Sequence, residues 1–245
     1  MSKARVSVFV VVAGMIVASM ASSPAWAVLL KAADWQMNEN ETSGQMIDSS
    51  GNDNNGTPTD VVQTGSTYVF DGSTSYVVVP DDDSLDPQEN DITLTASVIV
   101  DDAFPNTPEI EMDDDSYDVV RKGLSGTRGG DYKMEIKRAS NSTIGRLHCY
   151  FRGDKSTGGT VVKKVVPLDI VDGEWHKLEC EKKSTSVVAR VDGGTDYTQT
   201  GSAGSISNRK EVLVGAKTAP PSPDDMFDGE IGFVSIDIAQ PDIAQ

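Results

Sequence analysis

Side chains that bind transition metals or carry out acid–base catalysis are scarce in this chain. Its 245 residues include only two cysteines and two histidines. Structural zinc sites take four ligands drawn mainly from Cys and His, so a zinc site is excluded. His148 and His176 both fall in predicted strands, and a Ser–His–Asp or Cys–His unit would need one of them at a cleft. His176, next to Trp175, is better explained as a framework residue.

Basic residues are also few. The chain has 21 Lys and Arg against 38 Asp and Glu, which gives a formal net charge of −17. Binding to nucleic acid relies on Lys and Arg that neutralise phosphates, so nucleic acid is excluded as a partner. The same charge disfavours anionic membranes and acidic polysaccharides as simple electrostatic partners. It leaves room for divalent cations, although an acidic surface more often serves only solubility.

Long apolar runs are absent except at the start of the chain. Lys3 and Arg5 precede an apolar stretch over residues 6–21, and Ala25-Trp-Ala27 follows it, the pattern of an export signal with its cleavage site. The stretch is short for a bilayer span, which needs roughly 20 residues; an uncleaved anchor is the alternative. We therefore expect residues 1–27 to be a signal peptide and residues 28–245 to be one secreted, extracellular domain that does not insert into membranes.

The two cysteines both lie in predicted strands of the secreted part. Alternation places Cys149 on the face that carries Leu147 and Phe151, and Cys180 on the face that carries Leu178. Two inward-facing thiols in an exported protein predict a disulfide. Two buried free thiols are the alternative.

Short β-branched segments dominate the rest of the sequence, and no amphipathic helix is predicted. Residues 93–100, 132–137, 161–166 and 187–191 are examples with partial period-two alternation. Turns rich in Asp-Gly separate them. Many short strands at this spacing predict an all-β fold, a two-sheet antiparallel β-sandwich. No glycine loop precedes a helix, which argues against nucleotide binding.

The order of the later segments resembles the laminin-G-like branch of the concanavalin A-like β-sandwiches, or jelly rolls. Asp172-Gly-Glu-Trp-His176 opens one strand, and Asp192-Gly193 closes the next. Val212-Leu-Val-Gly215 and Phe227-Asp-Gly-Glu-Ile-Gly-Phe233 follow as short apolar strands. The resemblance runs from about residue 32 to residue 239, nearly the whole of the expected secreted part. It implies a binding module, since only some members of this superfamily are enzymes.

The resemblance also implies a calcium site at the rim of the sandwich. Mapped by motif, its ligands would be the Asp154 carboxylate, the carbonyl groups of Lys177 and Ile206, and the Asn208 side chain. All are oxygen donors, as Ca²⁺ requires, and one carboxylate with several carbonyls would bind weakly. The alternative is that Asp154 and Asn208 only shape turns. A second oxygen-rich stretch, residues 48–56, departs from the EF-hand pattern and is better explained as a polar hairpin loop.

A catalytic alternative rests on Glu109-Ile-Glu-Met-Asp113. Related glucanases carry their nucleophile and their acid/base on alternate positions of one strand, where side chains share a face. Here the acid position would hold Asp113 instead of Glu, and the surroundings are rich in Pro and Asp. An acidic loop is therefore the favoured interpretation of this stretch. The secreted part also has only Trp35 and Trp175, whereas a glucan cleft usually needs several aromatic platforms.

Together these features predict a secreted, non-catalytic binding module for a glycan or a cell-surface or other extracellular protein, assisted by Ca²⁺ if the rim site exists. The alternatives are an extracellular glycoside hydrolase of the glucanase type, acting through Glu109 and Glu111, and a structural surface component.

Overall fold

The computed structural model describes residues 28–39, 44–100, 116–139, 142–219 and 224–240. Within these ranges the chain forms two antiparallel sheets and two 3₁₀ turns, Asp83–Leu85 and Lys155–Thr157. The strands are β1 (Val28–Trp35), β2 (Thr57–Thr59), β3 (Val62–Gln63), β4 (Tyr68–Asp71), β5 (Tyr76–Val79), β6 (Ile92–Val100), β7 (Ser116–Lys122), β8 (Asp131–Arg138), β9 (Gly145–Arg152), β10 (Val161–Val165), β11 (His176–Lys182), β12 (Ser186–Val191), β13 (Tyr197–Thr200), β14 (Val212–Val214) and β15 (Asp228–Gln240). None of the described residues forms a helix that is long and apolar enough to cross a membrane.

The first sheet has the strand order β13-β12-β11-β6-β15-β4-β3. The long strand β15 pairs with β6 along one edge, and along the other edge with β4 at its start and β1 at its end. The second sheet has the order β10-β9-β8-β7-β14-β5-β2. The predicted all-β, two-sheet antiparallel sandwich is confirmed.

Alternation along the strands builds the core between the sheets. On β6, Leu94, Ala96 and Val98 are fully buried, and the residues between them are more exposed or polar. On β8, Tyr132 and Met134 are fully buried in the same way. Side chains that alternate in this manner point to opposite faces of a sheet. The second sheet therefore sends one set of residues into the core and the intervening set outward.

Cys149 and Cys180 form a disulfide with a Cα–Cα distance of 5.3 Å. Cys149 lies on β9 and Cys180 on β11, so the bond joins the two sheets across the core. Both residues are fully buried. The pair predicted from the sequence thus ties the sheets together at a point where their inner faces meet.

The oxygen-rich stretch at residues 48–56 is a polar loop held by hydrogen bonds from backbone N–H groups of the loop and of β1. The Asp48 carboxylate accepts hydrogen bonds from the N–H groups of Asp34 (2.9 Å), Ser50 (2.9 Å) and Asn54 (3.0 Å). Asn54 in turn accepts a hydrogen bond from the Trp35 indole through its carbonyl at 2.7 Å. These N–H donors satisfy the hydrogen-bonding capacity of the Asp48 carboxylate, so its position in the loop does not require a metal ion.

We predict that replacing both cysteines, Cys149→Ala with Cys180→Ala, destabilises the protein by about 3–4 kcal/mol. The physical reason is the loss of a cross-link that closes a loop in the unfolded chain, over a sequence separation of 31 residues, and so lowers the conformational entropy of the unfolded state. Urea unfolding in oxidising buffer measures the effect. In buffer with a strong reductant, the original protein should approach the double variant; equal stabilities under oxidising conditions would contradict the prediction.

Candidate functional site

The outward face of the second sheet carries polar side chains in rows that follow the strand register. Asp118 on β7 is the partner of Glu135 on β8, and Glu135 is the partner of His148 on β9. The neighbouring row, which continues onto β10, consists of Arg121, Lys133, Tyr150 and Lys163. Since directly opposed side chains are close neighbours in an antiparallel sheet, each row forms a continuous strip of polar groups.

A bulge in β7 brings two of these residues together. The pairing of β7 with β8 shifts between Asp118 and Val120. On a regular strand, residues three apart point to opposite faces. Because of the bulge, Asp118 and Arg121 lie on the same side and form a buried ion pair.

All members of the two rows except Asp118 line an outer-face cleft of about 500 Å³. This volume falls within the usual range of small-molecule sites. Its titratable lining combines five cations, two carboxylates, an imidazole and a phenol: Arg121, Lys133, Lys137, Lys163, Lys217, Asp131, Glu135, His148 and Tyr150. The cleft therefore offers both hydrogen-bond donors and acceptors at close spacing.

Ion pairs hold several of the cleft's charged groups in place. Lys133 pairs with Glu135, and Arg152, next to the cleft, pairs with Asp131. The Lys133 ammonium also lies 5.7 Å from the centre of the Tyr150 ring. Lys163 has no acidic partner within 4.0 Å among the described residues, which leaves its ammonium available to a ligand.

Burial sets the protonation states of two groups in the cleft. Burial lowers the pKa of His148 to about 4, with Glu135 opposing the shift and Lys137, Lys133 and Lys163 adding to it. Burial also raises the pKa of the Tyr150 phenol. At neutral pH the imidazole is therefore uncharged and the phenol keeps its proton, so that each can both donate and accept a hydrogen bond.

A larger groove, about 990 Å³, lies at the rim of the sandwich. The loop at residues 123–130, which joins β7 to β8, forms one wall, and residues 207–210 form another. Asp154 and Asn208 both line it, so the structure brings two of the four predicted calcium ligands to one groove.

The groups predicted to bind calcium have partners of their own. The Asp154 carboxylate accepts a hydrogen bond from the Ser156 N–H at 2.9 Å, which caps a 3₁₀ turn. The Asn208 amide donates to the Gly130 carbonyl at 3.1 Å. Its oxygen accepts from the Lys210 N–H at 2.9 Å.

The two predicted carbonyl ligands lie apart from each other in the fold. The Ile206 carbonyl, in the loop just before Asn208, accepts a hydrogen bond from the Gln88 N–H at 2.8 Å. Lys177 lies on β11 of the first sheet, and its carbonyl accepts from the Asp192 N–H at 2.8 Å. Lys177 is not among the residues that line the rim groove. The calcium site with these four ligands stays a prediction.

A buried lysine organises the rim, and the sequence reasoning missed it. Lys122, at the end of β7, is fully buried. Its ammonium lies 2.5 Å from an Asp81 carboxylate oxygen, 3.2 Å from an Asp86 carboxylate oxygen, 2.7 Å from the Asn208 carbonyl and 2.9 Å from the Lys210 carbonyl. The only signal in the sequence was a charged residue at the end of a β-branched run.

His176 is a framework residue, as predicted. Its ring nitrogens lie 2.8 Å from an Asp192 carboxylate oxygen and 3.0 Å from an Asp172 carboxylate oxygen. Burial opposes protonation, but these two hydrogen bonds prevail and raise the pKa of His176. The catalytic alternative, Glu109 and Glu111 with Asp113, lies outside the described residues.

Comparison with known proteins rests on structure alone, since no protein-family model and no curated protein matches the sequence. Domain 4 of AbnA, a GH43 extracellular arabinanase from Geobacillus stearothermophilus solved with arabinotriose, superposes with a TM-score of 0.58 at 14% identity, over 87% of this chain and 94% of that one. The chain shares with that domain a two-sheet β-sandwich fold of the jelly-roll type. The predicted resemblance to the concanavalin A-like jelly rolls is confirmed at the level of fold.

Two further structures share the fold. The binding domain of Paraclostridial Mosquitocidal Protein 1 has a TM-score of 0.62 at 14% identity, and that of botulinum neurotoxin serotype D has 0.61 at 10%. Each match covers 86% of this chain and 49% of the other. This chain thus spans about half the length of those binding domains, and the likeness concerns the fold only.

We predict that Lys122→Met destabilises the protein by about 3–5 kcal/mol, because it leaves the buried carboxylate of Asp86 without its cation. Urea unfolding measures the loss. Lys210→Met is the matched control: the Lys210 side chain is exposed and only its carbonyl contacts Lys122, so we expect a change within about 0.5 kcal/mol. A loss below about 1 kcal/mol for Lys122→Met would contradict the proposed role of the ammonium.

We predict that His148→Gln changes the pH dependence of stability. Between the ordinary pKa of 6.5 and the folded value of about 4, the unfolded chain binds a proton at His148 that the folded chain does not. At pH 5 the variant should therefore be more stable than the original protein by about 1–2 kcal/mol, allowing for partial exposure, and at pH 7 nearly equal to it.

Urea unfolding at both pH values measures this difference. His176→Gln is the control with the opposite sign. Because the pKa of His176 is raised in the folded state, His176 stabilises the protein at low pH, and that contribution fades as the pH rises through the folded pKa. A His148→Gln difference that is the same at pH 5 and pH 7 would refute a neutral, desolvated imidazole.

Proposed function

We propose that the protein is a secreted, non-catalytic binding module that holds a saccharide in the outer-face cleft of the second sheet. The observation that carries the proposal is the pair of registered rows across β7, β8 and β9, which places charged groups, an imidazole and a phenol along one cleft. Sugar hydroxyl groups both donate and accept hydrogen bonds, and such a mixed lining can meet both needs.

The charge of the cleft supports a saccharide that carries an acidic group. The whole chain has a net charge of −17, which disfavours acidic polymers over most of its surface. The cleft lining, in contrast, has five cations and two carboxylates. Lys163 has no acidic neighbour within ion-pair distance in the described part of the chain, whereas Arg121, Lys133 and Lys217 each have one. It is therefore the natural partner for a ligand carboxylate or sulfate.

The absence of catalysis is part of the proposal. The two carboxylates in the cleft, Asp131 and Glu135, are engaged by Arg152 and Lys133. The pKa of His148, about 4, makes it a weak base at neutral pH. The arabinanase domain was solved with a bound oligosaccharide, and the other two neighbours are named as binding domains. These likenesses are in keeping with a binding role.

The same proposal includes three further parts: calcium at the rim, an extracellular glycan or surface protein as the physiological partner, and secretion after removal of residues 1–27. The glycoside hydrolase alternative would act through Glu109 and Glu111, and unchanged polysaccharide chain length after prolonged incubation would exclude it. The structural alternative requires self-association, which concentration-dependent light scattering measures.

The test is retention in native gels cast with neutral polysaccharides and with uronate-containing ones, each with calcium and with EDTA. We expect retention by at least one acidic polymer. Tyr150→Ala should weaken binding at least about tenfold, the loss typical of a central aromatic contact, and Lys163→Ala should weaken binding of acidic polymers more than of neutral ones. Loss of retention in EDTA would assign calcium a role.

The matched control is Trp175→Ala. Trp175 is 44% exposed and lies beside the first sheet, where its ring approaches Gly232. We expect this variant to bind as the original protein does. If Trp175→Ala abolishes binding and Tyr150→Ala does not, the cleft is the wrong site. If no polymer retains the protein in either condition, the saccharide proposal is rejected and a protein ligand becomes the better hypothesis.

A further inference from the structure

Three carboxylates converge beside the outer-face cleft. They belong to Asp118 on β7, Glu135 on β8 and Asp225 in the segment before β15, and one oxygen from each lies within 4.8 Å of the others. The backbone fixes this arrangement: Asp118 and Glu135 are register partners, and the Asp118 N–H donates to the Asp225 carbonyl at 3.0 Å. The cluster therefore joins two strands of the second sheet to a loop that is distant in sequence.

Each carboxylate already has one cationic neighbour. Asp118 pairs with Arg121 through Oδ2, and Glu135 pairs with Lys133 through Oε2. Asp225 pairs with Lys217 through Oδ2 at 3.2 Å. Lys217 also pairs with Asp224 at 2.6 Å, so this cation is shared between two carboxylates. The ion pairs explain how the cluster is tolerated in the fold.

The second carboxylate oxygens of Asp118 and Asp225, the Oδ1 atoms, differ from the paired Oδ2 atoms. Both Oδ1 atoms are buried and have no hydrogen-bond donor among the described residues. The side chain of Asp118 is fully buried, and that of Asp225 is 4% exposed. A buried acceptor without a donor destabilises the folded state by about 1–3 kcal/mol. Two such acceptors in one cluster therefore indicate a bound group that would interact with both.

We propose that Asp118, Glu135 and Asp225 form a site for a hard divalent cation of the calcium type. Calcium binds oxygen ligands at 2.3–2.6 Å, so oxygens bound to one ion lie at most about 5 Å apart, which agrees with the 4.8 Å spread of the cluster. The ligand set contains only carboxylates, which select calcium, magnesium or manganese over zinc or copper. Calcium is favoured because its coordination geometry is flexible.

The neighbouring cations limit the affinity. Arg121, Lys133 and Lys217 remain close to the ion and repel it, so we expect binding in the weak range of extracellular calcium modules, about 10⁻⁴–10⁻³ M. The site shares no residue with the predicted rim site of Asp154, Lys177, Ile206 and Asn208. It also does not depend on the proposed saccharide function, since the ion would fasten the loop at Asp225 to β7 and β8 whether or not a sugar binds.

The test is calorimetric titration of the chelator-treated secreted protein with CaCl₂, together with melting temperatures in CaCl₂ and in EDTA. In an Asp154→Asn background, which removes the carboxylate of the rim site, we expect one calcium equivalent and a higher melting temperature in calcium. Adding Asp118→Asn or Asp225→Asn to this background should weaken binding at least tenfold and abolish the calcium-dependent shift.

The control is Asp224→Asn in the same background. Asp224 is adjacent to Asp225, and its side chain is 48% exposed and pairs with Lys217 at 2.6 Å. Asp224 is not one of the three ligands, so this variant should change the calcium affinity far less than Asp225→Asn does. Glu135→Gln provides a further ligand variant if Asp118→Asn does not fold.

Two results would overturn the site. One is the absence of calcium binding in the Asp154→Asn protein. The other is calcium binding that persists in Asp225→Asn with unchanged affinity. In the first case, a stability that falls between pH 5 and pH 7 in the original protein but not in Asp118→Asn would show that Asp118 binds a proton instead of a metal ion; burial raises the pKa of Asp118 to about 7.

Discussion

The buried ammonium group of Lys122 is the interaction on which the rim of this protein depends. It gathers oxygens from two separate segments, Asp81 and Asp86 after β5 and the carbonyls of Asn208 and Lys210 before β14, and so joins both to the end of β7. An ammonium without such partners would be very costly to bury. The ammonium therefore holds the loops around the rim groove together. It also fixes the position of the end of β7, where the connection to β8 begins.

Strand alternation gives the second sheet two different surfaces. The inner residues, such as Tyr132 and Met134, pack in the core, and the outer ones, such as Lys133 and Glu135, line the cleft. A single bulge in β7 then adds the buried pair of Asp118 and Arg121 to the outer face. Net charge averages over the whole surface, so it gives no indication of a cleft in which cations outnumber carboxylates.

Local pattern made much of the fold predictable. β-branched runs, Asp-Gly turns and the two inward-facing cysteines are short-range signals, and they predicted the strands, the sandwich and the pairing of Cys149 with Cys180. The cluster of Asp118, Glu135 and Asp225 had no such signal, because its third member comes from a segment about a hundred residues further along the chain. The rows of the cleft could not be predicted from the sequence either, because they depend on strand register and on a bulge that breaks simple alternation.

The distribution of hydrogen-bond donors separates the two places where a cation could bind. At the rim, the carbonyls of Ile206 and Lys177 already accept hydrogen bonds from backbone N–H groups, and the side-chain oxygen of Asn208 accepts one from the Lys210 N–H. A metal there would have to share oxygens with groups that stabilise the fold. Beside the cleft, Asp118 and Asp225 each have a buried oxygen without a donor in the described structure. The unsatisfied oxygens therefore favour the sheet face over the rim, because an ion there would relieve an existing desolvation cost, even though Arg121, Lys133 and Lys217 lie close to it.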